Sequence, residues 1–221
     1  MELISEFDIA ISDVDVPSLV SEIIDIFYSE GKFIKYDKAC SSSVIIRVGN
    51  AELRAFGNVE RGLARISIIN VHSGELSSYR KIIEIIKTLT SLESLNKARI
   101  MHLELVSRGL KDTSFRITSI QRFMKLLKNI ISDIGIVINS ISTKNIGEVN
   151  LVSISGKYLI SSMDIVLATV ITVIRNSRNI SIMVSLSKHY NNFKTDMVKF
   201  MNKLLLETEL ILNYITDNLT R

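Results

Sequence analysis

One cysteine, one proline and no tryptophan occur in a chain of 221 residues, and each scarcity removes a class of protein. Cys40, in KACSSSV, has no partner for an internal disulfide and cannot build a thiolate metal cluster; no histidine stands near it to activate a nucleophile. That cysteine usage fits a reducing, cytoplasmic setting. The nine glycines are scattered singly, so neither G-x-G-x-x-G nor G-x-x-x-x-G-K-[ST] occurs, and ISGK (Ile154 to Lys157) reads as a turn between strands because no helix follows it. The N-terminus MELISEFDIAISDVDVP has no basic region and is rich in acid, which excludes a secretory signal peptide. Catalytic and cofactor signatures are missing, so no cofactor is expected.

What remains is aliphatic. Hydrophobic residues make up 47% of the chain with only 6% aromatic, mean hydropathy is +0.28, and 23% of residues are charged, an ordinary share for a globular protein. That balance calls for a generous core or for apolar surface that meets a partner. The net charge of +4 permits anionic partners without demanding them.

The oiliest stretch, SSMDIVLATVITVIRNSRNISIMVSLSKHY (Ser161 to Tyr190), raises the question of a membrane span. A spanning helix needs roughly 20 consecutive apolar residues. Here Asp164 interrupts the start and Arg175 and Arg178 close the run. Its residues from Ile165 to Ile174 are mostly β-branched, RNSRN is turn-like, and Ile180, Ile182, Val184 and Leu186 alternate with Ser181, Met183, Ser185 and Ser187. Two paired strands are expected, the first buried on both faces or packed under a helix and the second half exposed through its serines.

Apolar spacing of three and four predicts helices over Val16 to Phe27, Ser77 to Leu89, Ile120 to Ile134 and from about Thr195 onward. Asp13 and Asp15 precede the first helix and read as caps for its free N–H groups rather than as a metal-binding pair; Pro17 suits its first turn and Gly31 its end. Period-two runs predict strands over Glu2 to Ser12, Ser43 to Val48, Glu52 to Phe56, Arg65 to Val71, Arg99 to Val106, Val149 to Ser155 and Lys157 to Met163. Gly49-Asn50 supplies a hairpin turn. Ser107 to Ser114 reads as a polar loop around Gly109, and Ser91 to Lys97 as a linker. The fold class expected is α+β, with two lobes, 1–96 and 97–221. Each runs strand, helix, antiparallel meander, helix, and the helices pack on one face of the sheets.

That order of elements, from FDIAISDVDVPSLVSEII through SSYRKIIEIIKTL, resembles one half of the TATA-binding protein. The resemblance implies paired phenylalanine wedges on a concave sheet, where this chain has Phe56 in AELRAFGNVERG and no counterpart in its second half. The Val/Ile-rich strands before a long last helix, Lys194 to Asn218, also look like the helix-grip group, with its Bet v 1 and START domains. That likeness implies an apolar ligand held between sheet and helix.

Function is therefore expected from apolar surface: a non-enzymatic binding or assembly protein whose cavity or interface is formed by Met197, Met201, Leu204, Leu205 and Ile211. The partner would be a hydrophobic small molecule, another protein or a second copy of the chain. The alternative is nucleic-acid binding through Arg47, Arg54 and Arg65 of the first meander and Arg122 of the third helix. His72, His102 and His189 are far apart, lack an H-E-x-x-H motif and read as ordinary strand or loop residues. An enzyme would require a fold that gathers His102, Asp8 or His189 from distant parts of the chain.

Overall fold

The computed structural model describes residues 1–28, 32–37, 43–72, 77–113, 120–146, 149–160, 165–175, 180–191 and 197–219. Cys40, Gly31 and Thr195 lie outside them. The element order is β1 (Glu2–Ser12), α1 (Val16–Phe27), β2 (Lys32–Asp37), β3 (Ser43–Val48), β4 (Ala51–Asn58), β5 (Leu63–His72), α2 (Ser77–Leu89), α3 (Glu93–Lys97), β6 (Arg99–Thr113), α4 (Ile120–Asp133), β7 (Ile136–Ile146), β8 (Val149–Ile160), β9 (Ile165–Arg175), β10 (Ile180–His189) and α5 (Met197–Leu219). The protein is a mixed helix and sheet structure. Its strands form a large sheet whose hairpins β2·β3, β3·β4, β4·β5, β7·β8, β8·β9 and β9·β10 are antiparallel.

The chain divides into two compact units. The first comprises Ile4–Leu105 and His189–Asn202 and carries its strands in the order β2, β3, β4, β5, β1 and the first half of β6. Alternation sorts its residues to two faces. Val44, Ile46 and Val48 of β3, Leu53 and Ala55 of β4, and Phe7, Ile9 and Ile11 of β1 are buried on one face. Glu52, Arg54 and Phe56 of β4 point to the other. α1 packs over β3 and β4, and α2 over β5. Leu19, Val20, Ile23 and Phe27 repeat along α1 at three and four residues and are all buried, each worth about 1.5–3 kcal/mol of burial.

Two expectations are revised in this unit. Asp15 stands at the start of α1, but its carboxylate accepts a hydrogen bond from the Ser18 hydroxyl instead of capping a backbone N–H. The polar Ser91–Lys97 stretch contains the short helix α3. Leu92 and Leu95 are buried, and Glu22 of α1 accepts from the backbone N–H of Ser94, so two apolar anchors fix a segment that reads as a linker.

The second unit comprises Met1–Leu3, Val106–Lys188 and Lys203–Arg221, with the second half of β6 followed by β10, β9, β8 and β7. β6 does not give way to a loop at Ser107 but continues to Thr113. Gly109 is a strand residue here, because a Cβ at that position would sit 2.9 Å from Leu212 and 3.1 Å from Leu3. Gly156 likewise does not separate two strands: β8 runs through it, and a Cβ would lie 2.6 Å from the Val137 carbonyl oxygen on β7. Of the two arrangements expected for β9, burial on both faces does not occur: the strand alternates, with one face buried. Leu167, Thr169, Ile171 and Val173 face inward while Val166 and Val170 are exposed. β10 is half exposed through its serines, as expected. No helix of the described residues is long and apolar enough to cross a membrane.

Candidate functional site

The five apolar candidates on α5 are all in the interior. Met197, Met201, Leu204, Leu205 and Ile211 are 0–2% exposed, so their surface is already covered within the chain. α5 carries a second apolar line that the inward spacing hid. Leu206, Leu210 and Tyr214, four residues apart, are 46%, 61% and 44% exposed. Residues at that interval stack along one side of a helix. LLLETELILNY is apolar on two sides of the helix, which is the signal that marks this line.

In the first unit, a shallow apolar depression of about 410 Å³ lies beside the exposed Phe56, with Ala10, Leu63 and Met101 in its wall.

Three arginines of the alternative reading, Arg47, Arg54 and Arg65, are engaged by acids. Arg47 lies 3.1 Å and Arg54 2.5 Å from Glu52, on the exposed side of the β3–β4 hairpin. The hydrogen bond from Arg54 holds the Glu52 carboxyl below its ordinary range, burial opposes that, and Arg47 adds to it. Arg65 donates through Nε and Nη2 to both oxygens of Asp8, each at 2.8 Å, and Ser67 donates to the same carboxylate at 2.9 Å. Asp8 is 5% exposed as a residue, and its hydrogen bonds push the Arg65 guanidinium still further toward its charged form. Arg122 is exposed on α4.

Next to this pair the fold gathers the residues that sequence reading left scattered. His102 and Glu104 stand two apart on β6 and therefore share a face. His189 ends β10, and the following N–H, that of Tyr190, donates to the Leu103 carbonyl at 2.8 Å, which brings the end of β10 alongside that part of β6. His189 Nε2 lies 3.2 Å and His102 Nε2 3.5 Å from the two oxygens of Glu104. The two imidazoles meet edge to face with centroids 5.2 Å apart. His102 Nε2 is also 3.8 Å from Asp8. The donor atoms of His102, Glu104 and His189 all fall within 4.8 Å of one another, so among the described residues these three side chains are placed to hold a metal ion. The side chain of His72, on β5, lies outside the description.

A second polar cluster, in the other unit, is structural. Glu207 accepts from the Tyr158 hydroxyl at 2.8 Å and pairs with Lys203 at 2.7 Å. Burial and the Glu207 carboxylate push the Tyr158 hydroxyl up to about 12.

No family model matches the chain, and no curated protein matches it. Among solved structures, similarity of low degree is found to DynU16, a protein of the dynemicin biosynthetic locus. Identity is 8% over 97% of this chain and 98% of that one, with a TM-score of 0.27. Another is the immunity protein TplEi of the type VI secretion system of Pseudomonas aeruginosa, at 11% identity over 96% of this chain and 90% of that one, with a TM-score of 0.23. Scores of that size bear on neither the fold nor the function of this chain.

Proposed function

We propose that the chain is a non-enzymatic assembly protein that self-associates through apolar surface on α5. The observation that carries this reading is the line Leu206, Leu210, Tyr214, exposed along about 12 Å of helix, given a rise of about 1.5 Å per residue. Large apolar side chains aligned on one side of a helix favour a partner that removes them from water. A second copy fits because residues at intervals of four form the ridge that interlocks with an identical ridge, the helices crossing at about −50°. A twofold contact places the same patch on both partners. Glu209, Asn213 and Asp217 flank the line and supply the polar rim such contacts have. The arginines fit a nucleic-acid role less well, since Arg47, Arg54 and Arg65 already face carboxylates.

Sedimentation velocity across a range of concentrations tests this. The expected result is a reversible monomer–dimer equilibrium that Leu210→Glu abolishes while the circular dichroism spectrum stays unchanged. A protein that stays monomeric at the highest concentration, or an equilibrium indifferent to Leu210→Glu, overturns it. Lipid recovered with a monomeric protein would assign the apolar surface to a small hydrophobic ligand instead.

A further inference from the structure

We propose that His102, Glu104 and His189 bind one divalent transition-metal ion, zinc or an ion of similar ligand preference, on the first unit. Two imidazole nitrogens and one carboxylate oxygen form a donor set of borderline softness, which suits zinc, cobalt, nickel or ferrous iron and does not suit calcium or magnesium, whose ligands are oxygens.

The three side chains already converge, their donor atoms all within 4.8 Å of one another. Bonds of about 2.0–2.1 Å at tetrahedral angles set donor atoms roughly 3.3 Å apart. His189 Nε2 lies 3.2 Å from one Glu104 oxygen and His102 Nε2 3.5 Å from the other, so both imidazoles already face the same carboxylate at about that spacing. The remaining pair, the two nitrogens, lies within 4.8 Å and closes by a small rotation of partly exposed rings. Such rotation meets little resistance, because the His102 and His189 side chains are 39% and 60% exposed.

Charge and support point the same way. Glu104 supplies one negative charge, and the Asp8 carboxylate, itself paired with Arg65, sits 3.8 Å from His102 Nε2 on the edge of the site. Arg65 and Ser67 hold Asp8 in place. The ligands come from two strands fixed to each other by the Tyr190-to-Leu103 backbone hydrogen bond, so the site is built on sheet and not on a loop. Three protein ligands leave at least one coordination position for water or a small anion.

The site is separate from the α5 ridge and stands or falls without it. The test uses the full chain, stripped with chelator, then titrated with zinc by calorimetry and with cobalt by visible absorption. Expected are one ion per chain and a cobalt spectrum of low coordination number. His102→Ala, His189→Ala and Glu104→Gln should each weaken binding by at least about tenfold. Circular dichroism confirms that each variant is folded. Absence of binding by the folded wild-type chain, or binding that survives both His102→Ala and His189→Ala, overturns the assignment.

Discussion

Replacing Gly156 with alanine isolates the packing of β7 on β8. Gly156 lies opposite Ile138, where the register between the strands shifts before Ser140. Its backbone is not in the left-handed region, so alanine meets no torsional penalty there. The obstacle is contact: the new Cβ would lie 2.6 Å from the Val137 carbonyl oxygen and 3.0 Å from Ile136, where ordinary contact begins at 3.4 Å. A backbone oxygen paired in a sheet cannot swing aside, so the strands must separate. Overpacking of this kind costs about 1–3 kcal/mol. Restricting the unfolded chain returns about 0.4–1 kcal/mol. With backbone as the obstacle the cost lies toward the upper end, about 2–3 kcal/mol, so the net expectation is a loss of about 1–2.5 kcal/mol, read as a lower urea midpoint with an unchanged slope, or as a fall in Tm of about 2–4 °C per kcal/mol. If Gly156→Ala is as stable as the wild type, β8 does not run unbroken beside β7.

Tyr158 carries a pH prediction. Its hydroxyl titrates near 12 in the folded chain, against about 10 when unfolded, so its contribution is complete below about pH 10 and declines as pH rises toward 12. Alkaline denaturation should therefore be less steep in Tyr158→Phe than in the wild type over that window, and identical curves would refute the linkage. Asp8→Ala should cost about 1.5–3 kcal/mol, the loss expected when charge-assisted hydrogen bonds to a buried carboxylate are removed. Chemical denaturation measures it, and a neutral result would mean that the Asp8–Arg65 pair is not formed in solution.

The helices were legible because their buried residues recur with the helical period: Leu19, Val20, Ile23 and Phe27 in α1, and Phe123, Leu127, Ile130 and Ile131 in α4. The paired strands of the oily segment were legible from β-branching and alternation. β7 was not read, since IVINSISTKNI alternates poorly and follows α4 with only a two-residue turn. Gly109 and Gly156 misled for one physical reason. A glycine placed where neighbours approach closely looks in sequence like a glycine that ends a strand. On α5 the inward stripe was visible, but burial of Met197, Met201, Leu204, Leu205 and Ile211 left the exposed line to Leu206, Leu210 and Tyr214. The histidine cluster was half legible. His102 and Glu104 share strand parity, whereas the arrival of His189 depends on β10 lying beside β6, a non-local pairing that no local period encodes.

That convergence is open to one direct measurement. The chain has three histidines, so their ring protons are readily assigned by substitution in an NMR spectrum. With ring centroids 5.2 Å apart, His102 and His189 should exchange a nuclear Overhauser effect in metal-free protein. A cross-peak that vanishes in His189→Asn is the predicted result. Two folded-state imidazole resonances with no cross-peak between them would contradict the juxtaposition of β6 and β10.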